Sequence, residues 1–396
     1  MRHRSAVTTP NLTGENTETV PYRGLSARVA VDARMIRHSG IGVVLRGFLR
    51  TWARHPERIR PVLMGSPETI RKVLPEVEDM AVVRWNAPVY SASASLSPPR
   101  LPEDVGVWYS PHYATCLRVA LPLVCHVQDV LHITHPTRPG TSFYNRVYLS
   151  ILRQKASYVL TTSRHVKVQL QTLYGFRPER VLRTGVGPGL AGETAGENHR
   201  LPTVLEGVDY LVAVGIMKGH KNWEFMLRRL AGMGEKALPL ACAGLGDRAE
   251  QLYEKARKLG VASKIRVLPY LKDGELAAVY RHARGLVFPS LAEGFGLPVL
   301  EAMSVGCPVL IADRSPMREI AGDAAYRFDP DYPESFDQAL EEMLGNEETR
   351  RQRIAQGLEQ SRTFSWERAG LHVEHALFRA MTGRLPKPVE NGRTAS

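Results

Sequence analysis

The fold prediction depends most on one stretch, residues 285–310, which reads GLVFPSLAEGFGLPVLEAMSVGCPVL. A short apolar strand is predicted to end at Phe288, and a loop with two glycines leads from it to Pro298. Proline is typical of the first turn of a helix, where its missing N–H costs no hydrogen bond. Gly306 predicts the end of that helix, and a second apolar strand follows. The stretch therefore predicts a strand, a loop open to a ligand, a helix and another strand.

The loop and the start of this helix carry residues suited to binding a sugar that bears a diphosphate. Glycines in the loop would let backbone amides approach a ligand closely, and the amides at a helix N-terminus favour an anion. Glu293 in the loop could accept hydrogen bonds from sugar hydroxyls, and Glu301, expected in the first helical turn, could accept both hydroxyls of a ribose. The candidate residues here are Glu293, Gly294, Phe295, Gly296, Leu297 and Glu301.

Short apolar strands alternate with helical segments on both sides of this stretch. That alternation predicts an α/β fold built from two Rossmann-like, doubly wound domains that face each other across a cleft. Residues 185–200 carry five glycines, which is typical of a linker. Residues 91–100, rich in Ser and Pro, predict a flexible loop. The predicted divisions are a disordered leader (1–26), an N-terminal acceptor-side domain (27–184), a linker (185–200), a nucleotide-sugar-binding domain (201–364), a C-terminal helix that crosses back to the first domain (365–382) and a disordered tail (383–396).

Composition excludes several classes of protein. The 396 residues are 43% hydrophobic and 23% charged, which is typical of a globular protein and not of a fibrous or disordered one. No apolar run approaches the ~18 residues needed to span a bilayer, and the N-terminus has no apolar segment typical of a secretion signal. We therefore expect a cytoplasmic protein. The four cysteines form no CxxC pair, so neither a disulfide framework nor a metal site is expected.

The net charge of +12 is concentrated in the first half of the chain. Residues 1–190 have 25 Lys and Arg against 12 Asp and Glu, whereas residues 191–396 have 27 against 28. Such asymmetry predicts an acidic partner, and the absence of any nucleic-acid-binding motif favours an anionic membrane or a phosphorylated substrate. Arg46, Arg50 and Arg54 recur every fourth residue on a predicted helix, and we interpret them as a basic stripe that faces the membrane.

Two short segments, one with two lysines and one with two glycines, each lie between a predicted strand and a predicted helix. Residues 214–222 (VGIMKGHKN) place Lys218 and Lys221 where they could bind phosphates. Gly40 and Gly42 lie between the first strand and the first helix. A plain tight turn would explain this glycine pair equally well.

Glu293 and Glu301 are separated by seven residues, and together they resemble the E-x7-E signature of retaining glycosyltransferases with the GT-B fold. The resemblance is strongest to glycosyltransferase family 4 (group 1), including its mannosyltransferases, and it extends over residues 28–381. It implies that Glu293 lies near the donor hexose, that Glu301 binds the nucleotide ribose, and that the amides between them contact the sugar and the diphosphate.

Three further segments are similar to that family. Residues 214–222 resemble its strand–loop–HKN element, which implies that Lys221, and more loosely Lys218, bind the donor diphosphate. Residues 40–42 resemble its N-terminal glycine loop, which implies that Gly40 and Gly42 face the donor diphosphate. Residues 125–130 (CHVQDV) resemble its T-x-H-D-L segment, in which Asp129 matches and Gln128 replaces the histidine.

Because glutamine cannot act as a base, this departure leaves the acceptor side open. Either His126, on the same strand face as Gln128, or His132 replaces the family histidine, or the role of that histidine is only orientation. The acceptor-side candidates are His112, His126, Gln128 and Asp129. The catalytic candidates are Glu293, Lys221 and Asp129.

The resemblance implies transfer of a hexose, with retention, from a nucleoside-diphosphate sugar to a saccharide hydroxyl, without a metal or other cofactor. We expect GDP-mannose first, with UDP-glucose, other UDP-hexoses and dTDP-rhamnose open. The expected acceptor is a polyprenyl-diphosphate-linked saccharide of cell-surface polysaccharide synthesis, reached from the inner face of the plasma membrane. A GT-B-fold epimerase or hydrolase and a non-catalytic nucleotide-sugar-binding protein remain as alternatives.

Two other patterns have simpler interpretations. Residues 244–249 fit G-x-G-x-x-A, but the acidic residue expected about 20 positions later in a dinucleotide site is missing. Asp329 and Asp331 have the spacing of a metal-binding D-x-D, but they follow a short strand late in the chain, which favours a surface turn.

Overall fold

The structure is a computed structural model that describes residues 27–136, 140–189 and 199–383. The chain divides into two compact units: unit 1 is residues 1–187 with 365–396, and unit 2 is residues 188–364. The division falls inside the predicted linker. The predicted leader, residues 190–198 of the linker and residues 384–396 of the tail lie outside the described residues.

Unit 1 is built on a seven-stranded sheet in which all neighbouring strands pair in parallel. The strand order is β3-β2-β1-β4-β5-β6-β7. Both faces of the sheet are covered, so the central strands are almost continuously buried. The strands are β1 (Ala27–Asp32), β2 (Ile59–Gly65), β3 (Ala81–Arg84), β4 (Val105–Ser110), β5 (Leu123–His126), β6 (Tyr158–Thr161) and β7 (Val181–Arg183).

The helices of unit 1 connect these parallel strands. They are α1 (Ile41–Arg54), α2 (Pro67–Val73), α3 (Ala92–Leu96), α4 (Leu131–Thr134), α5 (Thr141–Lys155) and α6 (Arg164–Tyr174). The expectation of a flexible loop over residues 91–100 is wrong for α3. The Ser91 hydroxyl accepts a hydrogen bond from the Ala94 N–H (3.1 Å), which caps this helix.

Unit 2 repeats the architecture with a six-stranded parallel sheet of order β10-β9-β8-β11-β12-β13. Its strands are β8 (Leu211–Val214), β9 (Leu240–Ala243), β10 (Ile265–Val267), β11 (Gly285–Phe288), β12 (Val309–Ala312) and β13 (Tyr326–Phe328). Its helices are α7 (Trp223–Met233), α8 (Ala249–Lys258), α9 (Asp273–His282), α10 (Leu297–Ser304), α11 (Met317–Ala321), α12 (Pro333–Gly345) and α13 (Glu347–Arg362). The predicted α/β class with Rossmann-like parallel sheets is confirmed.

The strand order of unit 2 explains where a ligand can bind. Strands β8 and β11 are neighbours in the sheet, although they are not consecutive in the chain. Such a reversal of strand order opens a crevice at the carboxyl ends of the two strands. The loops that follow β8 and β11 carry Lys221 and Glu293, respectively.

The last helix, α14 (Trp366–Thr382), packs within unit 1. The Trp366 ring lies edge-on to Phe48, with 5.7 Å between the ring centroids. A Cβ added to Gly47 of α1 would lie 2.5 Å from this indole, so only glycine leaves room for the tryptophan. No helix within the described ranges is both long and apolar enough to cross a bilayer.

Candidate functional site

The loop after β8 turns sharply before helix α7 begins. Gly215 has φ +147°, and a Cβ there would lie 3.4 Å from Lys221 Cε. A single 3₁₀ turn, Gly219–Lys221, follows. Asn222 then adopts φ +56° and caps α7, a left-handed conformation that asparagine tolerates better than most residues. This turn directs the Lys221 side chain back along Gly215, towards the strand ends.

The loop after β11 brings Glu293 to the same place. Lys221 Nζ lies 2.6 Å from Glu293 Oε1, although the residues are 72 positions apart. The Leu291 N–H donates to the His220 carbonyl (2.7 Å), which ties the two loops together next to this pair. Lys221 Nζ also lies 5.0 Å from the centroid of the Phe288 ring, the last residue of β11.

Solvent reaches this ion pair only slightly, since the Lys221 and Glu293 side chains are 14% and 11% exposed. Attraction between opposite charges is stronger where water is largely excluded. Each charge is also costly to leave unpaired in such a place. The pair is therefore a preformed cation and acceptor that can be redirected to an incoming ligand.

Glu301 occupies a deeper position than the sequence predicts. Helix α10 begins at Leu297 after Gly296, which has φ +106°. Glu301 is thus the fifth residue of the helix. The prediction that it lies in the first turn is wrong, because the helix starts one residue before Pro298. The carboxylate instead reaches α9, where Tyr280 Oη lies 3.3 Å from Glu301 Oε2.

Burial raises the pKa of Glu301 to about 7, and the charge of Asp273 adds to this, while the hydrogen bond from Tyr280 opposes it. Backbone also crowds this carboxylate, because a Cβ added to Gly189 would lie 1.8 Å from Glu301 Oε1. A side chain at residue 189 would therefore displace the Glu301 carboxylate. A hydrogen-bonding ligand would relieve the poorly solvated carboxylate.

The residues between the two glutamates contribute backbone rather than side chains. Gly294, Phe295 and Gly296 are buried. The Phe295 ring packs edge-on against Phe364, with centroids 5.8 Å apart. Its side chain therefore belongs to the core of unit 2, and Leu297 is the first residue of α10.

Lys218 lies apart from the Lys221–Glu293 pair. It lines an open groove of about 610 Å³ whose lining includes Trp223, Arg228 and Lys255 but neither Lys221 nor Glu293. Its side chain makes no hydrogen bond or ion pair with any residue in the described ranges.

The two predicted glycines of unit 1 differ in their surroundings. A Cβ added to Gly42 would lie 2.5 Å from the Ile36 carbonyl oxygen, so packing of α1 against that backbone requires glycine. A Cβ added to Gly40 would make only an ordinary contact, 3.9 Å from His38 Nδ1. The Gly40 N–H and that of Ile41 both lie within hydrogen-bond distance of His38 Nδ1 (3.2 and 3.3 Å), so the first amides of α1 already have an acceptor.

His126 lies in the core of unit 1. Its Nδ1 is 3.2 Å from the Tyr109 hydroxyl, and its ring stacks on Phe48 with centroids 5.9 Å apart. Burial lowers its pKa to about 3, and no surface of the residue is exposed. The expectation that His126 shares a strand face with Gln128 is wrong, because β5 ends at His126. His126 cannot reach a substrate from this position.

His112 is likewise buried, with its Nε2 3.3 Å from Asp32 Oδ2. Arg34 donates two hydrogen bonds to Asp32 (2.9 and 2.6 Å) and stacks over Trp85 at 3.4 Å. Burial raises the pKa of Asp32, but the hydrogen bonds from Arg34 and the charge of His112 outweigh it and hold the pKa at about 2. His112 therefore belongs to a charged cluster inside unit 1.

Asp129 and Gln128 are half-buried after β5. Asp129 Oδ1 accepts the Leu131 N–H (2.9 Å) at the start of α4. The other open candidate, His132, lies edge-on to the Tyr113 ring with centroids 6.3 Å apart. Of the four acceptor-side candidates, Asp129 and Gln128 have surface available to a ligand.

The predicted membrane-facing arginines of α1, Arg46, Arg50 and Arg54, each have a partner within unit 1. Arg46 donates to the Ile36 carbonyl (2.6 Å), Arg50 pairs with Glu76 (3.0 Å), and Arg54 pairs with Glu367 of α14 (2.8 Å). Their positive charges are therefore at least partly used inside unit 1, and their role at a membrane stays a prediction.

The two weaker sequence patterns have structural explanations. Gly244 packs on Gly215, since a Cβ at Gly244 would lie 3.4 Å from the Gly215 nitrogen. Asp329 and Asp331 both pair with Arg314 (3.1 and 2.6 Å).

Sequence reasoning missed three residues that touch the site: Phe288 beneath Lys221, Tyr280 beside Glu301, and Gly189 against Glu301. Gly189 had a usable signal, because it lies in the glycine-rich segment before the second run of strands. Tyr280 had none, because nothing in helix 273–282 distinguishes it from a core aromatic residue.

Known proteins resemble this chain in sequence and in fold. Residues 197–360 match the family described as Glycosyl transferases group 1. The O-antigen chain mannosyltransferase B of Escherichia coli is 30% identical over 223 residues, which cover 54% of this chain and 58% of that protein. The chain therefore matches little more than half the length of this relative.

Two solved structures extend the likeness to most of the chain. Anabaena HepE in complex with UDP and glucose has a TM-score of 0.68 at 15% identity, covering 87% of this chain and 97% of that chain. WaaG, a glycosyltransferase involved in lipopolysaccharide biosynthesis, has a TM-score of 0.62 at 18% identity, covering 90% and 100%. Both units of this chain thus have the Rossmann-like α/β folds of GT-B glycosyltransferases, and residues 197–360 are similar in sequence to the group 1 glycosyl transferases.

Proposed function

We propose that this protein is a retaining glycosyltransferase that moves a hexose from a nucleoside-diphosphate sugar to a saccharide hydroxyl. The observation that carries the proposal is the shielded Lys221–Glu293 pair at the carboxyl ends of β8 and β11 (2.6 Å). One member suits a departing diphosphate and the other suits sugar hydroxyls, and the two lie side by side before any donor arrives.

Lys221 would stabilise the leaving group. Negative charge builds up on the diphosphate as its bond to the anomeric carbon breaks, and a fixed cation in a poorly hydrated place stabilises that charge strongly. Phe288 and Gly215 hold the side chain from two sides. Little reorganisation is then needed when the reaction occurs.

Glu293 and Glu301 would hold the two ends of the donor. Glu293 can accept hydrogen bonds from hexose hydroxyls at Oε2, because Lys221 Nζ lies at Oε1. Glu301, eight residues further along, can accept the two ribose hydroxyls, and Tyr280 orients its carboxylate. No metal or other cofactor is needed in this scheme, because Lys221 and backbone amides would supply the positive charge.

The choice of GDP-mannose as donor rests on the likeness to the O-antigen mannosyltransferase of Escherichia coli. UDP-glucose is the second choice, because a structural neighbour was solved with UDP and glucose. The proposed acceptor is a polyprenyl-diphosphate-linked saccharide of cell-surface polysaccharide synthesis, used at the inner face of the plasma membrane.

A panel of nucleotide sugars tests this proposal, scored by thermal shift and by nucleotide release with and without a lipid extract. One donor should stabilise the protein, and nucleotide release should require the extract and vanish in Glu293→Ala. The matched control is Glu224→Ala, which removes an exposed ion pair of the same unit (Lys255, 2.9 Å) and should leave both signals intact. An acceptor with a defined terminal hexose then shows by NMR whether the new linkage keeps the anomeric configuration of the donor.

Two outcomes would replace the proposal. Rapid release without any acceptor would indicate an epimerase or a hydrolase. Donor binding without turnover under any condition, and unchanged cellular function in Glu293→Ala and Lys221→Ala strains, would indicate a nucleotide-sugar-binding protein.

A further inference from the structure

Helices α5 and α6 of unit 1 leave large apolar side chains in solvent. Phe143 is 74% exposed and Leu173 is 60% exposed, the two highest values for apolar residues in the described part of unit 1. Val147 is 44% exposed. It follows Phe143 by one helical turn, so both residues lie on the same face of α5. Isolated exposed apolar residues are ordinary, but a group of them on one surface marks an interaction site.

Contacts between the helices join these residues into one surface. The Arg146 guanidinium lies over the ring of Tyr174 at 5.9 Å, and a Cβ at Gly175 would lie 2.8 Å from the Arg153 guanidinium. The face of α5 and the end of α6 are therefore continuous. We call this surface the α5–α6 face, defined by Phe143, Arg146, Val147, Arg153 and Leu173.

The chain segment that forms this face is rich in basic residues and has no acidic ones. The 49 residues between Asp129 and Glu179 contain no Asp or Glu. They contain seven Lys and Arg: Arg138, Arg146, Arg153, Lys155, Arg164, Lys167 and Arg177.

The arginines of the α5–α6 face differ in their pairing from other basic residues in the first half of the chain. The arginines of α1 are held by Ile36, Glu76 and Glu367. Arg146 and Arg153, in contrast, have no acidic partner among the described residues.

We propose that the α5–α6 face docks this protein on an anionic lipid bilayer, with Phe143 and Leu173 entering the headgroup region and the arginines binding lipid phosphates. Aromatic and aliphatic side chains flanked by Lys and Arg are suited to the interface of an acidic bilayer. Each Lys or Arg near such a surface adds about 1 kcal/mol, or roughly fivefold in binding. Two copies of this face would instead repel each other, which disfavours a dimer through it.

The inference deepens the proposed function, since a lipid-linked acceptor would be met at the membrane surface, but docking can be measured without any sugar transfer. The full chain is sedimented with vesicles that contain about 30% phosphatidylglycerol in phosphatidylcholine, and with vesicles of phosphatidylcholine alone. We expect binding to the acidic vesicles that weakens with salt, and little binding to the neutral ones.

Phe143→Ser combined with Leu173→Ser should weaken binding about tenfold or more. Arg146→Ala combined with Arg153→Ala should weaken it by a comparable factor through charge alone. The matched control is Val204→Ser with Tyr332→Ser, which removes exposed apolar side chains of unit 2 (44% and 68% exposed) and should not change binding. Melting temperature and nucleotide-sugar binding, measured on each variant, show that it is folded.

Three results would overturn the inference: equal binding to neutral vesicles, unchanged binding of both α5–α6 variants, or a dimer of the unaltered chain that becomes monomeric in Phe143→Ser with Leu173→Ser. Each can occur while the nucleotide-sugar panel succeeds. Conversely, a failed panel with intact, face-dependent vesicle binding would reject the proposed function and leave the docking surface in place.

Discussion

The two units have the same type of parallel sheet but differ at the carboxyl ends of their strands. In unit 1, Asp32 and His126 are themselves the last residues of β1 and β5, and both are fully buried. In unit 2, Lys221 lies seven residues after the end of β8, and Glu293 lies five residues after the end of β11. Polar residues inside a strand become part of the core, whereas those in the following loops remain available to a ligand.

Whether a polar residue remains available to a ligand therefore depends more on its distance from the strand end than on its residue type. Histidine at residue 126 looks like a catalytic base in the sequence, but its place in β5 surrounds it with Tyr109 and Phe48. Lysine at residue 221 could have been an ordinary surface residue, but the turn after Gly215 directs it to Glu293. Four predictions would break or sharpen this contrast.

The largest effect is expected for Lys221→Ala. Loss of one fixed positive group that stabilises a transition state costs about 10²–10³-fold in rate, so donor turnover should fall by that factor. Lys255→Ala, which removes an exposed partner of Glu224, should leave turnover within a factor of about two. Steady-state nucleotide release checks both, and a Lys221→Ala enzyme as fast as the Lys255→Ala control would contradict the proposed role.

Glu301 should make unit 2 sensitive to pH. Burial raises its pKa to about 7 from 4.5, so the folded protein retains a proton that the unfolded chain releases between those values. The stabilising contribution of the protonated group is complete below about pH 4.5 and is lost as the pH rises to 7. Relative to Glu301→Gln, the unaltered protein should lose up to about 3 kcal/mol of unfolding free energy over this window, less the part that solvent screens.

Urea unfolding at several pH values, from 4.5 to 8, measures this difference. The free energy of unfolding of the unaltered protein, relative to that of Glu301→Gln, should be highest at the acidic end. Glu301→Gln should gain relative stability as the pH rises. Parallel curves would show that the carboxyl group of Glu301 is ionised throughout the range.

Gly189→Ala should damage the same region without removing a charged group. The new methyl would lie 1.8 Å from Glu301 Oε1, and such overpacking costs about 1–3 kcal/mol. Gly232→Ala, at a helical position with nothing within 4 Å of the added Cβ, should instead stabilise the protein by up to about 1 kcal/mol. Thermal melting compares the pair; donor affinity should fall in Gly189→Ala only.

The smallest effect is expected in unit 1 for Arg54→Ala. Its pair with Glu367 is exposed on both sides (58% and 45%), and such pairs contribute about 0–1 kcal/mol. Melting temperature, donor turnover and vesicle binding should all stay close to those of the unaltered protein. A large loss of vesicle binding would restore the arginines of α1 as the membrane surface, against the α5–α6 face.

Much of the fold follows from local patterns. The alternation of short apolar strands with helices predicts both parallel sheets, and the predicted end of a strand at Phe288 agrees with the last residue of β11. Helix α13 was missed because its sequence, EETRRQRIAQGLEQSR, has almost no apolar face, and periodicity is the signal on which such predictions depend. Helix α3 was missed because its Ser-rich sequence is typical of loops.

The candidate site could be predicted only in part. Spacing identified Glu293, Glu301 and Lys221, since each follows a strand in the same half of the chain. It could not show that Glu301 contacts Gly189 and Tyr280, or that Arg46, Arg50 and Arg54 each find a partner within unit 1. Those facts depend on residues distant in the chain.

The sequence by itself determined the α/β class, the alternation of strands with helices, and the loops in which Lys221 and Glu293 lie, because hydrophobic periodicity, proline and glycine act over a few neighbouring residues. Only the tertiary structure decided which charges are used inside the molecule and which remain for a ligand or a surface. His126 is buried, the arginines of α1 are paired, and Arg146 stays in solvent beside Phe143. The physical reason is that burial and pairing depend on which distant elements pack together.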